Sequence, residues 1–388
     1  MAQKGKKKNS NKKQTNKPFD FVLFIIVLIL LGMGIIMVLS ASSPSSLSTT
    51  GSSYTYVYKQ AISAVIGVIL MLIISNIDYR RYEKYYKIVY VVSVIILLLV
   101  LVPGLGRRIN GALRWIKVPV FGSAQPSEIS KLGIILFFSA YLSKNREKLK
   151  HIWHGFLKPI VYFLVPPILV LIVVQSHFSA SVIIILVVSV MMITAGSKIS
   201  HFALFGSLGA AAGLGVMYFF AKVLGKGSFR LARIYSFMDP WQDPQGDGWQ
   251  IIQSLYAIGS GGLFGVGLGN STQKYLYISE PQNDFIFAVL AEELGFVGCA
   301  AVIILFILFI WRGIIISMKA PDMFGSLFAV GITSLIGLQA MINIAVVTSS
   351  MPVTGIALPF FSYGGTSLII LLCAVGVLLN ISRQTEKI

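Results

Sequence analysis

Long runs without a single charge dominate the chain, and the polar positions gather in short clusters between them. A membrane-crossing helix needs about 20 mostly apolar residues. Phe21 to Tyr58 carries no charge, and its first half, Phe21 to Leu39, predicts the first such helix. Gln60 to Ile77 predicts a second, and Ile88 to Val102 a third that borrows tyrosines at one end. Pro126 to Leu142 predicts a fourth, unusual in containing Glu128 and Lys131. Pro159 to Ser197 is long enough for two helices folded back at the polar patch Gln175–Ser181, and Ile199 to Ala221 gives a seventh. Phe285 to Trp311 predicts an eighth, with Glu292 and Glu293 inside it. Met323 to Ser382 has no charge and divides at the Pro/Gly/Ser-rich stretch Ser349–Thr366 into a ninth and a tenth. The pattern therefore predicts an all-α polytopic membrane protein of about ten transmembrane helices. A large loop, about residues 223–284, lies between the seventh and eighth.

Composition agrees and excludes the soluble classes. Hydrophobic residues make up 56% of the chain and charged ones 12%, with a mean hydropathy of +0.81. A soluble domain carries about 25% charged residues, so this chain lacks the polar surface to cover a core of its size. The net charge of +18 would suggest nucleic acid in a soluble protein. Here it reads as topology, because basic residues collect on the cytoplasmic side of membrane proteins. With both termini cytoplasmic, 21 Lys and Arg fall inside, ten outside, and Lys131 lies within a span. Seven of the inside group are lysines in residues 1–17, so residues 1–18 read as a disordered cytoplasmic tail touching anionic lipid. Residues 19–383 form the transmembrane domain, and 384–388 a second cytoplasmic tail. The first apolar run is too long for a signal-peptide core, so it reads as an uncleaved anchor. Cys299 and Cys373 lie in apolar runs and give neither a disulfide framework nor a metal site.

Candidate chemistry collects on the outer side. The long loop carries Trp241, Trp249, Tyr256, Phe264 and the apolar stretch Gly248–Gly269, so it predicts amphipathic helices on the membrane surface rather than a passive linker. It holds every outer acidic residue: Asp239, Asp243, Asp247, Glu280 and Asp284. Asp239 and Asp243 flank prolines and read as turn residues. Asp284 stands at the start of the eighth helix, where an N-cap and a catalytic base both fit. Glu292 lies two turns on, on roughly the same side, and Glu293 faces about the opposite way. Charges at membrane depth mark polar interiors or pathways. Glu128 and Lys131, one turn apart, read as a salt bridge or as part of a polar cavity with Glu292 and Glu293. Arg107, Arg108 and Arg114, with Arg230 and Arg233, run against the inside bias. They suit either a phosphate-bearing ligand just outside the bilayer or headgroup anchoring. No Walker loop, dinucleotide fingerprint or His/Cys ligand cluster is present, and the four histidines are scattered.

Six segments carry a resemblance. They are Asn110-Gly-Ala-Leu-Arg-Trp-Ile116, Gln125-Pro-Ser-Glu-Ile-Ser-Lys131, Asp239-Pro-Trp-Gln-Asp-Pro244, Gly248-Trp-Gln-Ile-Ile-Gln-Ser254, Glu280-Pro-Gln-Asn-Asp-Phe-Ile-Phe-Ala-Val-Leu-Ala-Glu-Glu-Leu-Gly295 and Pro352-Val-Thr-Gly-Ile-Ala-Leu-Pro-Phe-Phe-Ser-Tyr-Gly-Gly-Thr-Ser367. In this order they resemble the SEDS family (shape, elongation, division and sporulation) of bacterial peptidoglycan glycosyltransferases. The match runs from about residue 20 to the C-terminus and is more similar to the division and spore-cortex branches than to the elongation branch. The resemblance implies ten spans with both termini inside a bacterial cell membrane. It implies polymerisation of lipid II into glycan strands at the outer face, with undecaprenyl pyrophosphate leaving. It also implies that Asp284 is the essential carboxylate, and that a class B penicillin-binding protein is the transpeptidase partner beside other division or sporulation proteins.

Under that implication Asp284 is the base and Arg107, Arg108, Asn110, Arg114, Arg230 and Arg233 bind substrate. Glu128, Lys131, Glu292 and Glu293 organise the cavity. No cofactor is required, although a divalent cation (Mg or Mn) beside Asp284 is compatible with the chemistry. The chain departs from the family at two places: the usual Gln-Pro-Asp-Leu-Gly reads Gln175-Ser-His-Phe-Ser179, and the usual Leu-Pro-Glu reads Ile278-Ser-Glu280. Two other functions stay open: a flippase for lipid-linked precursor, which the intramembrane charges and the proline-broken helices such as Pro166-Pro167 fit, and a non-catalytic scaffold of the division or sporulation machinery, which the departure at His177 fits.

Overall fold

A computed structural model describes residues 18–109, 111–118, 122–207, 236–246, 248–275 and 277–385. Asn110, Asp247, Arg230, Arg233 and the second half of the expected seventh helix lie outside the described residues.

The first helix, α1, runs Phe21–Thr50, with Asp20 accepting the Leu23 N–H at its start and Gly51, at φ 72°, ending it. It continues eleven residues beyond the expected Leu39. Its Ser/Thr-rich C-terminal end stays helical because hydroxyls bond back along the helix, Thr49 to the Ser45 carbonyl (2.7 Å) and Thr50 to that of Ser46 (2.8 Å). Thirty residues span about 45 Å, more than the roughly 30 Å of hydrocarbon, so α1 reaches past the apolar layer. Then come α2 (Thr55–Ile74), the short α3 (Arg80–Lys84) and α4 (Tyr86–Leu98), which tightens into a 3-10 turn at Leu99–Leu101.

Between α4 and the next helix the chain makes a small antiparallel sheet in the order β1 (Gly106–Ile109), β2 (Ala112–Val118), β3 (Gly122–Ala124). This corrects the purely helical expectation at one place. Gly111 takes φ 77° at the β1–β2 turn, and Asn110-Gly111 between apolar-polar alternations is a hairpin signal that the crowding of arginines obscured.

The remaining helices are α5 (Pro126–Lys144), α6 (Ile152–Val174) and α7 (Phe178–Ala195), followed by α8, described over 199–207. Pro126 opens α5, where its missing N–H costs no bond. Pro159, Pro166 and Pro167 remove donors within or beside α6, which winds partly in wide π turns. In the long loop, α9 (Trp249–Gly261) is the expected amphipathic helix. The chain closes with α10 (Ile286–Met318), α11 (Met323–Val347) and α12 (Gly365–Gln384).

Among the described residues seven helices are long and apolar enough to cross a membrane: α1, α2, α6, α7, α10, α11 and α12. The shorter α4, the charge-bearing α5 and α8 stand at the other three expected positions. Large apolar side chains such as Ile25, Ile29, Val65 and Val173 face outward, as lipid-facing residues do, while α11 is buried among α5, α7 and α10. The first and last helices meet at one face of the molecule: the Asp20 N–H donates to Ser382 Oγ (2.9 Å), and Arg312 grips the Asp20 carboxylate through Nε (2.9 Å) and Nη2 (2.5 Å). The two ends of the described chain therefore lie on the same side.

One helix is broken. Gly295 in α10 takes φ 64° and ψ −164°, a region essentially reserved for glycine. The carbonyls of Glu292 and Glu293 accept the N–H groups of Val266 and Gly267 (3.0 and 3.1 Å), while the N–H groups of Phe296 and Val297 donate to the carbonyls of Gly262 and Leu263 (2.9 and 3.1 Å). The 262–267 loop thus replaces the bonds that the break removes. It separates a short half-helix, 286–294, from the long apolar half below it.

Candidate active site

The 280–285 segment is built to present one carboxylate. Glu280 sits at φ 53° and collects the side-chain amides of Gln282 (3.0 Å) and Asn283 (2.9 Å), closing a tight turn. The cap position of α10 is Phe285, so Asp284 stands one residue ahead of the cap, half-buried. Asn343, inside α11, donates through Nδ2 to the backbone carbonyls of both Asp284 and Ile356 (2.7 Å each). Ser362 Oγ donates to the Asn283 carbonyl (2.7 Å), and the Tyr363 N–H donates to that of Gln282 (2.8 Å). The 352–363 segment is thereby laced to the carboxylate-bearing turn. It approaches so closely that a Cβ on Gly355, itself at φ 69°, would lie 3.1 Å from Asp284 Oδ2.

The α6–α7 turn and the sheet join this arrangement. Ser179 Oγ donates to the Thr354 carbonyl. Arg114, on β2, donates to the carbonyls of Gln175 (3.1 Å) and Ser176 (2.8 Å). Thr366, in the first turn of α12, reaches the Ser123 carbonyl on β3 (3.5 Å). Among the described residues, three of the four non-glycine residues with positive φ, Ser176, Glu280 and Phe360, lie in these segments, and backbone strain of this kind clusters at functional sites.

The candidate residues separate into three groups. Asp284 belongs with Asn343, Gly355 and Thr354. A second group holds the Glu128–Lys131 ion pair (2.8 Å), with Lys131 buried, beside His177 and Gln125. The third holds Glu292 and Glu293, which do not join the Glu128 group but face the loop before Asp284. Glu292 accepts from Ser271 Oγ (2.5 Å), from Thr272 N (2.9 Å) and from Thr272 Oγ1 (2.9 Å), and Glu293 pairs with Lys274 at 2.9 Å. The two carboxylates, which helical spacing sets on opposite sides, both find partners in the 271–274 segment. Of the outer arginines, Arg107 and Arg108 are exposed on β1, and Arg114 is the one that grips the α6–α7 turn. Asn343, Ser362, Lys274 and Ser40 escaped the sequence reading. Asn343 had a usable signal, an amide side chain one turn after Gln339 in a charge-free, mostly apolar helix.

His177 stands where the resemblance led to the expectation of an acid. Burial, then the nearby cations Arg114 and Lys131, pull its imidazole from the ordinary 6.5 down to about 3. The folded chain therefore keeps it neutral where an unfolded chain takes up a proton. Stability falls as pH drops from about 6.5 towards 3, because the unfolded state binds the extra proton. His177→Gln is expected to flatten this loss: between pH 7.5 and 5 the thermal midpoint in detergent should drop less for the variant than for the wild type. An equal drop in both would contradict the assignment.

Comparison with known proteins places this geometry. The Cell cycle protein family of FtsW, RodA and SpoVE matches residues 21–387. The chain belongs to this family. Stage V sporulation protein E of Bacillus subtilis (strain 168) is 45% identical over 333 residues, covering 86% of this chain and 88% of that protein. A probable peptidoglycan glycosyltransferase FtsW of Geobacter sp. (strain M18) is 40% identical, covering 85% and 88%. The fold is similar to the rod-shape-determining protein RodA of Thermus thermophilus (TM-score 0.68, 27% identity, 95% and 98% of the two chains). It is also similar to a chain in the structure of a peptidoglycan synthase complex that coordinates polymerization and crosslinking (TM-score 0.76, 28% identity, 94% and 98%). Family and apolar helices together make the chain a multi-pass membrane protein with a RodA-like fold.

Proposed function

We propose that the chain is a peptidoglycan glycosyltransferase that polymerises lipid II at the outer face of the bacterial cell membrane, with Asp284 as general base. The observation that carries this reading is the presentation of Asp284. It sits on a turn closed by Glu280 and braced by Asn343 and Ser362, and a Cβ on residue 355 would lie 3.1 Å from its Oδ2. A sugar hydroxyl of one lipid II attacks the anomeric carbon of the other, and Asp284 takes the hydroxyl proton as the new glycosidic bond forms. The bond from that carbon to the pyrophosphate oxygen breaks, and undecaprenyl pyrophosphate departs. A pyrophosphate needs charge stabilisation more than a proton, and outer-face arginines supply it. Arg107 and Arg108 are exposed and free to meet such a ligand from β1, whereas Arg114 organises the α6–α7 turn. Arg230, Arg233 and Asn110 complete the proposed binding set from outside the described residues.

A divalent cation, Mg or Mn, fits beside Asp284. The side-chain oxygens Oδ1 of Asn283 and Asn343 are buried there with no hydrogen-bond partner, and hard oxygen donors of this type hold such ions. Among the described residues no three His, Cys, Asp or Glu side chains gather into a metal site, so the ion would rest on Asp284, these amides and the substrate's pyrophosphate. When bound it supplies charge neutralisation at the leaving group. The partner in this reading is a class B penicillin-binding protein, consistent with the synthase complex to which the fold is similar. The 21-to-10 division of basic residues supports both termini in the cytoplasm.

The test is purified protein, with its transpeptidase partner, in vesicles containing fluorescent lipid II. Polymer formation supports the reading. Movement of lipid II between leaflets without polymer would replace it with a flippase, and neither activity would leave a scaffold.

A further inference from the structure

Asp284 and Glu293 are the two ends of the half-helix above the break, and the lower end is held by an ionic lock that the proposed chemistry does not use. The Lys274 ammonium donates to Glu293 Oε1 (2.9 Å), Ser40 Oγ (3.0 Å) and the Gly269 carbonyl (2.6 Å), which satisfies all three of its hydrogens. Ser40 in turn donates to the same Glu293 oxygen at 2.5 Å. Lys274 and Glu293 are both buried, so this is an ion pair withdrawn from water.

Ser40 lies on α1, and α1 is fastened to α10 a second time, through Asp20 and Arg312. Twenty residues separate Asp20 from Ser40 and nineteen separate Glu293 from Arg312. At 1.5 Å per residue each stretch is about 30 Å, so the two helices run side by side between matched fastenings. The break at Gly295 lies between those fastenings. α1 also supports the other wall around Asp284: a Cβ on Gly34 would overlap the Phe360 carbonyl, and Phe360 and Phe361 pack against Phe309 and Phe306 of the long half of α10.

We propose that α1 is a splint across the broken helix, and that Lys274, Glu293 and Ser40 are positioning residues that hold the half-helix, and through it Asp284, in register with the 352–363 segment. The catalytic part of this inference rests on the reading of Asp284 as the base. Neither Lys274 nor Glu293 touches the Asp284 group, so the lock acts through the half-helix.

The experiment uses the full chain with Lys274→Met, Glu293→Gln and the double variant, measured for lipid II polymerisation, thermal midpoint and amide hydrogen exchange. Each single variant is expected to lower kcat by at least about ten-fold with KM within about two-fold, because geometry and not binding is disturbed. Exchange over 280–294 should rise by about ten-fold while the long half, 300–318, is unchanged. The double variant removes the unpaired buried charge, so its thermal midpoint should return towards the wild type while kcat and exchange do not. Recovery of kcat and exchange in the double variant, unchanged exchange over 280–294, or faster exchange at full kcat would each overturn the proposal. A wild-type chain without polymerase activity would sink the functional reading instead, and the exchange result would still decide whether α1 splints the break.

Discussion

Asp284→Asn is expected to abolish measurable polymerisation, a loss of about 10²–10⁴-fold of the size general-base catalysis contributes. The substitution keeps the size and hydrogen-bonding reach of the side chain and removes its ability to take a proton. The bracing by Asn343, Ser362 and Tyr363 runs through backbone carbonyls and not through the carboxylate. Asn343 braces the backbone carbonyl of residue 284, and Ser362 and Tyr363 brace its two predecessors through their carbonyls. The helix cap is Phe285. The variant should therefore express, sit in the membrane and melt as the wild type does. A loss of activity that tracks a loss of folded protein would mean a structural carboxylate.

Gly295→Ala is expected to have the largest effect on stability. At φ 64° and ψ −164° any side chain is strained, and a Cβ would overlap the Gly265 nitrogen and the Leu263 carbonyl, which are backbone and cannot swing away. Strain and overpacking together cost about 2–6 kcal/mol. The four bonds between the 262–267 loop and the break would be lost with it, so both yield and activity should collapse. Gly259 is the control. It lies on the exposed side of α9 with nothing within 4 Å of its Cβ position, so Gly259→Ala should stabilise by about 0.5–1 kcal/mol or leave the melt unchanged. Equal melts for the two variants would contradict the account of the broken helix.

How much of this was legible in the sequence depended on whether the cause was local. Charge-free runs are long, so among the described residues seven helices long and apolar enough to cross a membrane stand where hydropathy put them, and Gln175–Ser181 turned the chain as its polarity required. The extension of α1 past Leu39 was missed because serines and threonines read as loop, although their hydroxyls can bond to the turn behind them. The sheet at 106–124 was missed because arginine spacing drew the eye from an Asn-Gly hairpin. Helical spacing set Glu292 and Glu293 on opposite sides, and only the fold shows that the 271–274 segment partners both. Nothing in the run of residues announced that the 262–267 loop would enter the helix there. Lys274 and Ser40, 234 positions apart, meet only through the fold. Asp284 was legible as a candidate, but its bracing by Asn343 and the closeness of Gly355 were not.

The most direct test of the central claim is to give labelled lipid II to the purified wild-type chain and to Asp284→Asn, each with the transpeptidase partner and at equal folded protein, and to resolve the products by length. The account predicts long glycan polymer from the wild type and none above background from the variant. Equal polymer from both, or none from a folded wild type, would contradict it.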